Sequence, residues 1–300
     1  MATLRALECF VAVCQFGSVT EAAARLHMSQ PAMSHQIAAL EREIGTSVVE
    51  RLSRGVRPTV AGRALLPDAR AALAAAQRAV ATGRAVARGA GGQLRIGCAE
   101  SMTAGLLAPV LRAWHRRRPG VHLGLTELSS ADGLADLVGS GMVDLAVGPR
   151  PSRWAGFESL VGSEEVVAAM AGGAGPEPVT FTQLAKRSMV GYHPDNGLGA
   201  WLDDVAAERG VALTVLTRTR NATTAAHLAA AGLGVALVPI TALPSAFPGA
   251  VRRLDPPLLR DVVVLLANPH DPLARRFDAD ICRRGVRVPA DIAVQLGPAE

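Results

Sequence analysis

The sequence predicts a two-part α+β chain, with helices at the N-terminal end and alternating strands and helices from about residue 93 onward. Three observations support this division. Apolar residues recur at helical spacing up to about residue 88. A glycine-rich stretch follows at 89–92, and beyond it short β-branched runs alternate with helical patterns. A length of 300 residues is enough for two or three domains that each bury a core.

The first 45 residues predict three short helices. The first, Thr3 to Phe16, carries an apolar stripe at helical spacing. Ser18 stands three residues ahead of a glutamate, which is the spacing of a capping box at a helix start. Ser29 can cap the third helix, and Pro31 suits its first turn because a missing N–H does no harm there. Gly45 suits the end of that helix.

Beyond these helices the chain predicts a wing and then a long helix. Two short strands, within 48–51 and 53–59, flank a tight Arg-Gly tip. Thr59 then caps an alanine-rich helix of about 60–88, with Pro67 near its start as a site for a kink. Small side chains along this helix let another helix approach closely. The helix therefore packs either on its own C-terminal domain or on a second copy of itself.

The order of helix, helix, recognition helix and wing predicts a winged helix-turn-helix domain at residues 1–59. Gln30, Ser34 and His35 are polar side chains near the N-terminal end of the third helix. That end meets base edges when such a helix lies in the major groove of DNA. A buried two-helix hairpin is the alternative interpretation of the second and third helices, and the predicted wing weighs against it.

The basic charge of the chain is confined to this N-terminal region. The whole sequence holds 31 Lys and Arg against 26 Asp and Glu, a formal charge of +5. Residues 1–90 hold 11 arginines and 6 acidic residues, whereas the rest of the chain holds 20 residues of each sign. A basic surplus in one region is typical of contacts with nucleic-acid phosphates, although many small solvated domains carry as much.

From Gln93 onward, the alternation of strands and helices predicts a parallel sheet with helices on both faces. The segment 211–220 is expected to be extended. The other predicted elements are strands at 94–98, 121–125, 143–147, 166–170, 188–192, 235–239 and 261–267, and helices at 101–118, 131–139, 199–210, 223–231 and 271–284.

Five stretches of sequence carry a resemblance to a known family. Two of them lie in the head (residues 1–59) and the start of the helix that follows it: FVAVCQFGSVTEAAARLHMSQPAMSHQIAALEREIG and VVERLSRGVRPTVAGRALL. The other three lie in the body (residues 93–300): LRIGCAESMTAGLLAPVL, GMVDLAVG and AAGLGVALVP. Through them the chain resembles the LysR-type transcriptional regulators. The resemblance covers nearly the whole chain and is strongest over residues 4–66.

The resemblance implies the remaining domain organisation. An effector-binding domain at 93–300 is expected to have the two α/β lobes of a periplasmic solute-binding protein. Lobe I takes about 93–161 and 268–300, and lobe II about 162–267, with crossovers near 161–166 and 264–268. Helix 60–88 is expected to pair antiparallel with the same helix of a second copy of the chain, in a homodimer or homotetramer. Residues 89–92 are expected to form the hinge.

For the head, the resemblance implies contacts with double-stranded operator DNA. Many relatives carry arginine where this chain has His35, and a neutral imidazole offers one donor where arginine offers a bidentate fork. The wing arginine is expected to reach the minor groove. The residues expected to touch DNA are Thr20, Ser29, Gln30, Pro31, Ser34, His35 and Arg54.

The body predicts a ligand site between the lobes. In open α/β lobes, ligands bind beyond the carboxyl ends of the strands, and helix N-termini capped by Ser, Thr or Asn cradle anions. The expected effector is therefore a small molecule bearing a carboxylate. Alternatively these residues cap their own helices only, and Tyr192, the single tyrosine, belongs to the core. The expected site residues are Ser101, Met102, Thr103, Ser129, Gly148, Tyr192, Asn196, Asn221 and Thr223.

Other function classes find no support in the sequence. The histidines lack metal-binding spacing, no G-x-S-x-G elbow surrounds Ser101, and no phosphate-binding glycine loop occurs. Neither a catalytic site nor a metal or cofactor is expected. The four cysteines are expected to be reduced thiols of a cytoplasmic protein, because no signal peptide or membrane span is predicted.

The sequence thus predicts a non-enzymatic, sequence-specific DNA-binding regulator controlled by a small molecule, with RNA polymerase as a candidate partner. Two alternatives stay open. One is a cytosolic solute-binding protein, and the other is a redox-sensing regulator on the same fold that uses Cys98.

Overall fold

The computed structural model describes residues 3–52, 55–87, 92–172 and 177–297. The chain divides into two compact units, one made mainly of residues 1–92 and one made of residues from Gln93 on. The first unit contains helices and a small two-stranded sheet, and the second contains a mixed sheet flanked by helices. This confirms the predicted two-part fold class.

The first unit follows the predicted order of elements. The Ser18 and Ser29 hydroxyls each accept a backbone N–H three residues later, both at 3.3 Å, and so cap α2 and α3. Gly45 ends α3 with φ of 81°, a left-handed conformation that glycine adopts without strain. The elements are α1 (Leu4–Phe16), α2 (Val19–Arg25), α3 (Gln30–Ile44), β1 (Val49–Arg51), β2 (Val56–Pro58) and α4 (Val60–Ala87).

One apolar core holds the head of the first unit together. Its members come from α1, α2 and α3, from Val48 before the wing, and from Ala69 on α4. Strands β1 and β2 pair antiparallel, with Glu50 opposite Arg57. The start of α4 lies directly against the wing, because Gly62 leaves room for the Val48 carbonyl: a Cβ at this position would lie 2.0 Å from that oxygen.

The second unit begins at β3 and contains helices and strands in near alternation. A single π-helical turn at Thr103–Leu107 interrupts the first long helix. Its elements are β3 (Gln93–Ala99), α5 (Glu100–Met102), α6 (Ala108–Arg117), β4 (His122–Leu128), α7 (Ala131–Gly139), β5 (Leu145–Pro149), β6 (Phe157–Met170), β7 (Val179–Thr180), α8 (Phe181–Leu184), β8 (Ser188–Tyr192), α9 (Gly197–Glu208), β9 (Thr214–Thr219), α10 (Ala222–Ala230), β10 (Ala236–Pro239), β11 (Ala250–Arg252), β12 (Leu254–Asp255), β13 (Leu258–Leu266), α11 (Pro272–Arg284) and α12 (Ala290–Leu296).

Two long antiparallel strands, β6 and β13, join two separate hydrophobic cores. The main sheet has the order β10-β6-β13-β5-β3-β4, with β3 parallel to both β4 and β5. Val161 lies in the first core, with Trp114 and Phe277, whereas Val166 lies in the second core, with Leu237. The chain therefore passes between lobes inside an unbroken strand. The sheet is mixed, which corrects the prediction of a purely parallel one.

Two boundaries differ from the predicted lobe assignment. On β13 the change of core falls between Leu258 and Val262, earlier than the predicted crossover at 264–268. The apolar run that follows gave no sign of which core each residue would join. In addition, α12 contributes Ile292 and Leu296 to the second core, so the C-terminal segment does not belong wholly to lobe I. Among the described residues, no helix has the combined length and hydropathy of a membrane span.

We expect Gly62→Ala to destabilise the first unit by ~3 kcal/mol, because the new methyl would have to displace backbone at Val48. Gly83→Ala lies in the same helix with nothing within 4 Å of its Cβ position, and we expect it to be neutral or stabilising by up to ~1 kcal/mol. Urea unfolding followed by circular dichroism measures both. Equal stability of the two variants would contradict the close contact.

Candidate functional site

Helix α3 presents a polar edge at its N-terminal end. Met33, Ile37 and Leu40 are buried in the head core. On the other side Gln30 and His35 are exposed, and so is Pro31; Ser34 is half-buried. Buried apolar residues thus fix the helix and leave its first two turns open to a partner.

The other residues expected to touch DNA divide into three cases. Thr20 is exposed near the start of α2. Ser29 is also exposed, but its hydroxyl is engaged by the Ala32 N–H as the cap of α3. Arg54 at the tip of the wing lies outside the described residues. On the wing strands, Arg57 donates to Glu50 at 2.7 Å, so its charge is already paired within the head.

A cavity of about 820 Å³ lies between the two lobes of the second unit. The carboxyl ends of β3, β4 and β5 open onto it, as expected for α/β lobes. Helix α9 and the first residues of β13 form the opposite wall. The size is that of a small-molecule site. Its lining residues are Ala99, Glu100, Ser101, Leu128, Ser129, Ser130, Ala131, Asp132, Pro149, Arg150, Ser152, Asn196, Gly197, Leu198, Ala200, Trp201, Asp204, Ala222, Leu259, Arg260 and Asp261.

The lobes meet at the start of α9. The Gly197 N–H donates to the Ser129 carbonyl at 3.1 Å, and a Cβ at residue 197 would lie 2.9 Å from that oxygen. Beside it, Asn196 Oδ1 accepts from the Leu198 and Gly199 N–H groups, and Nδ2 donates one hydrogen bond to the Arg220 carbonyl. Asn196 therefore positions the start of α9, and its Nδ2 carries a second N–H besides the one given to Arg220.

A buried polar network lies under the cavity where the lobes cross. Arg260 on β13 is only 10% exposed; its Nε donates to Glu164 Oε2 at 2.9 Å, and its Nη2 lies 2.8 Å from the same oxygen in an ion pair. Glu164 on β6 is fully buried, and its other oxygen accepts from the Thr241 hydroxyl and N–H. Arg260 Nη2 also lies 3.4 Å from the Ser101 hydroxyl. The network ties Ser101 of lobe I to Thr241 of lobe II.

The second arginine of the cavity is held by carboxylates as well. Arg150 lies 2.9 Å from Asp261 and 3.2 Å from Glu158. Nearby, Asp132 accepts from the Ser152 N–H and hydroxyl at 2.7 and 2.8 Å. These contacts leave the cavity with hydroxyls, neutralised arginines and two further acidic residues, Glu100 and Asp204.

Glu100 is the acidic residue whose proton affinity the site changes most clearly. Burial raises the pKa of Glu100 above its ordinary value, and repulsion from Glu127 and Asp195 raises it further, against a lowering by Arg220. A carboxylate in this position is short of positive charge.

The structure brings together only part of the expected ligand site. Ser101, Ser129 and Asn196 line the cavity. Asn221 caps α10 through the Thr223 and Thr224 N–H groups, and the Thr223 hydroxyl donates to the Ala242 carbonyl. Both residues therefore stabilise lobe II locally and do not line the cavity.

Four further expectations for the ligand site are corrected by burial. Met102 and Gly148 are buried in lobe I, because a helix start and a strand end each turn one side into the core. The Thr103 hydroxyl is buried beside the Cys98 thiol. Tyr192 is 4% exposed and donates to the Leu237 carbonyl at 2.8 Å, so it belongs to the core of lobe II and does not form a cleft wall.

Sequence reasoning missed the residues that give the cavity its charge. Arg260 interrupts the apolar run from Leu258 to Leu266, and an arginine in such a run is a signal for a buried ion pair. Trp201 and Asp204 lie on α9 one turn apart, at the spacing that brings side chains to one face of a helix. The residues that line the cavity with them come from distant parts of the chain, so no local motif marks them.

The cysteines are placed as unreactive thiols. Burial raises the pKa of the Cys98 thiol to about 12, and it raises that of Cys14 to about 11. Burial and the neighbouring Asp278 raise the pKa of Cys282 to about 12. A thiol that stays protonated is a poor nucleophile. Within the described ranges, no group of three or more His, Cys, Asp or Glu side chains is arranged to hold a metal ion.

Two family models match the sequence and together span most of the chain. The LysR substrate binding domain matches residues 87–281. The second model, described as bacterial regulatory helix-turn-helix protein, lysR family, matches residues 4–63.

Individual proteins are similar over most of their lengths. The HTH-type transcriptional regulator TfdS of Cupriavidus pinatubonensis is 33% identical over 291 residues, covering 94% of this chain and 98% of that one. The probable hydrogen peroxide-inducible genes activator of Mycobacterium avium is 33% identical over 249 residues, covering 81% and 79%. The crystal structure of CbnR, a LysR family transcriptional regulator, matches with a TM-score of 0.68 at 25% identity, covering 95% and 99%. CbnR complexed with its target DNA gives a TM-score of 0.65 at 24% identity, covering 94% and 99%.

We expect Glu164→Leu to destabilise the second unit by ~3–5 kcal/mol, because Arg260 would keep a buried charge without its partner. The double variant Glu164→Leu/Arg260→Leu should be clearly more stable than Glu164→Leu alone. A double-mutant cycle in urea measures the coupling. Additive losses in the double variant would show that the pair contributes nothing as a pair.

Proposed function

The chain belongs to the LysR-type transcriptional regulators, and from this premise we propose that it binds operator DNA through the open end of α3 and responds to a small carboxylate in the cavity between its lobes. The observation that carries the proposal is the division of α3 into a buried apolar side and an exposed polar edge at Gln30 and His35. Such an edge serves no purpose in the packing of the head.

Contacts with DNA are expected to be of two kinds: some position the head on the duplex, and others recognise the base sequence. Arginines and helix-end N–H groups bind phosphates, which orients the head, whereas Gln30, Ser34 and His35 meet base edges. Pro31 approaches the duplex with them, and Thr20 and Ser29 contact the backbone. Arg54 at the wing tip reaches the minor groove. CbnR was solved in complex with its target DNA, which supports this use of the head.

A second copy of the chain is the expected partner of α4. The helix exposes apolar residues, among them Val80 at 54%, and its small side chains suit close helix packing. A homodimer or homotetramer would bring two or more heads to neighbouring half-sites and so raise the affinity for an operator. We place this assembly in the cytoplasm with the DNA, where RNA polymerase is the partner of a promoter-bound regulator.

The ligand is expected to place its carboxylate at the junction of the two lobes. The Ser101 hydroxyl and Arg260 Nη1 offer donors there, since within the described parts of the chain Nη1 makes no hydrogen bond. A ligand that prefers one arrangement of the lobes shifts the population toward it. Control of the heads requires only that the ligand bind the two arrangements of the lobes with different free energies.

Neither alternative function is favoured. A solute-binding protein has no use for a domain with the polar edge of α3. One relative is named a hydrogen peroxide-inducible genes activator. In this chain, however, Cys98 is fully buried with a raised pKa, so it lacks the thiolate that reacts with peroxide.

We expect Gln30→Ala to weaken binding to a selected operator by roughly 5- to 150-fold, the effect of ~1–3 kcal/mol per base contact, and to leave non-specific binding unchanged. Ser34→Arg should change the footprint as well. Gln15→Ala, an exposed glutamine of α1, is the matched control. Fluorescence anisotropy at several salt concentrations, on duplexes selected from a random pool, makes the measurement. Unchanged operator affinity for Gln30→Ala would contradict the assignment of the reading face.

We expect a small carboxylate that binds the cavity to raise the Tm of the full chain. At a ligand concentration one hundred times its Kd, the free energy of unfolding should increase by ~2.7 kcal/mol. Ser101→Ala should reduce this shift, because it removes a donor from the cavity. Ser245→Ala, an exposed serine outside the cavity, should not. A thermal-shift screen of carboxylates tests this; equal shifts in both variants would place the ligand elsewhere.

A further inference from the structure

We propose that the ligand of the interlobe cavity carries a cationic amino group in addition to its carboxylate, and that Glu100 and Asp204 receive this group beside the ring of Trp201. The inference rests on the proposed function, since it concerns the same cavity. It adds a second pole to the ligand and so narrows its class to amino carboxylates. Three observations carry it: the pairing of the arginines, the lack of partners for two acids, and the position of one indole.

The positive charges of the cavity are already neutralised by the protein. Arg260 is bound by the fully buried Glu164, and Arg150 by Asp261 and Glu158. A dianionic ligand would therefore enter a cavity whose arginines each have a carboxylate partner. One ligand carboxylate can use the remaining donor of Arg260 and the Ser101 hydroxyl. The site has no further cation for a second one among its described lining residues.

The negative charges, in contrast, are not all neutralised. Asp132 is satisfied by Ser152, and Asp261 by Arg150. In the described chain, neither Glu100 nor Asp204 has a cation within 4.0 Å or a side-chain hydrogen bond. The arginine that lowers the pKa of Glu100 from a distance, Arg220, is held by Asp195.

The two acids come from opposite lobes. Glu100 begins α5 in lobe I, and Asp204 lies on α9 in lobe II, yet both line the same cavity. In the empty cavity like charges on the two walls oppose closure. An ammonium group between them converts that repulsion into two attractions. The same contact that recognises the amine would therefore favour the closed arrangement.

Trp201 supports the same chemistry. It lies on α9 three residues before Asp204 and lines the cavity. The face of an indole attracts a cation through its quadrupole, more strongly when the pair is shielded from water. Its apolar area, with that of Leu198 and Ala222, also provides a surface for the carbon skeleton that joins the two poles.

A raised pKa is the expected property of an acidic residue, such as Glu100, whose cationic partner is supplied by the ligand. Since a folded-state pKa above the ordinary value means that burial disfavours the charged form, Glu100→Gln should raise the Tm of the ligand-free protein. The same substitution should weaken the binding of an amine. If Glu100 had a purely structural role, Glu100→Gln would not both raise the Tm of the ligand-free protein and weaken the binding of an amine.

The test uses two matched series on the full chain: 3-phenylpropanoate, phenylalanine and 2-phenylethylamine, and hexanoate, norleucine and pentylamine. Isothermal titration calorimetry and thermal shift, with each probe at up to 10 mM, give the affinities. We expect at least one amino acid to bind ten-fold or more tightly than the carboxylate of its series. Glu100→Gln and Asp204→Asn should each abolish most of that preference. Asp203→Asn, on the same helix but outside the cavity, is the matched control.

The outcomes separate this inference from the proposed function. Carboxylates that bind as tightly as their amino acids would overturn the amine pole and leave the carboxylate effector standing. Amines that bind as tightly as the amino acids would support the amine pole and overturn the carboxylate. A preference that survives both Glu100→Gln and Asp204→Asn, or no binding by either series, would overturn the inference. Asp204 is exposed, so Asp204→Asn carries no risk of misfolding that would obscure the result.

Discussion

The second unit depends on the buried contact between Arg260 and Glu164 at the point where β6 and β13 cross from one lobe to the other. Two ions are removed from water there, which is tolerable only because each finds further partners in the Ser101 and Thr241 groups. Because the donors and acceptors come from both lobes, the pair specifies how the lobes approach. The cavity lies directly beside this contact, and Ser101 and Arg260 line it.

The cavity above this pair differs in how its positive and negative side chains are paired. Its arginines are held by protein carboxylates, whereas Glu100 and Asp204 face open space from opposite walls. In such a site the half-buried charge of Glu100, which has no cationic partner among the described residues, raises the energy of the empty state. In the proposed amino carboxylate site, ligand recognition and lobe closure would depend on the same contacts.

The head of the first unit follows a different principle. Its helices are fixed by one apolar core and by local caps at Ser18, Ser29 and Gly45, so the backbone beneath the exposed edge of α3 is held in place. A fixed backbone would favour the proposed contacts with bases, because only the side chains of this edge would lose conformational freedom on binding. The wing is tied to the start of α4 by the close approach at Gly62.

The sequence by itself determined the elements whose signals are local. Capping residues predicted the start of α2 and both ends of α3, and short apolar runs predicted most strands of the second unit. The same local reasoning placed Asn221 at a helix start and Asn196 in the loop before a helix, but it could not tell a cap from a ligand contact. Tertiary structure alone decided that Tyr192 is core, that β13 changes lobes before Val262, and that α12 joins lobe II. It also brought Glu100, Trp201, Asp204 and Arg260 to one cavity, because proximity between residues up to 160 positions apart leaves no periodic trace in the sequence.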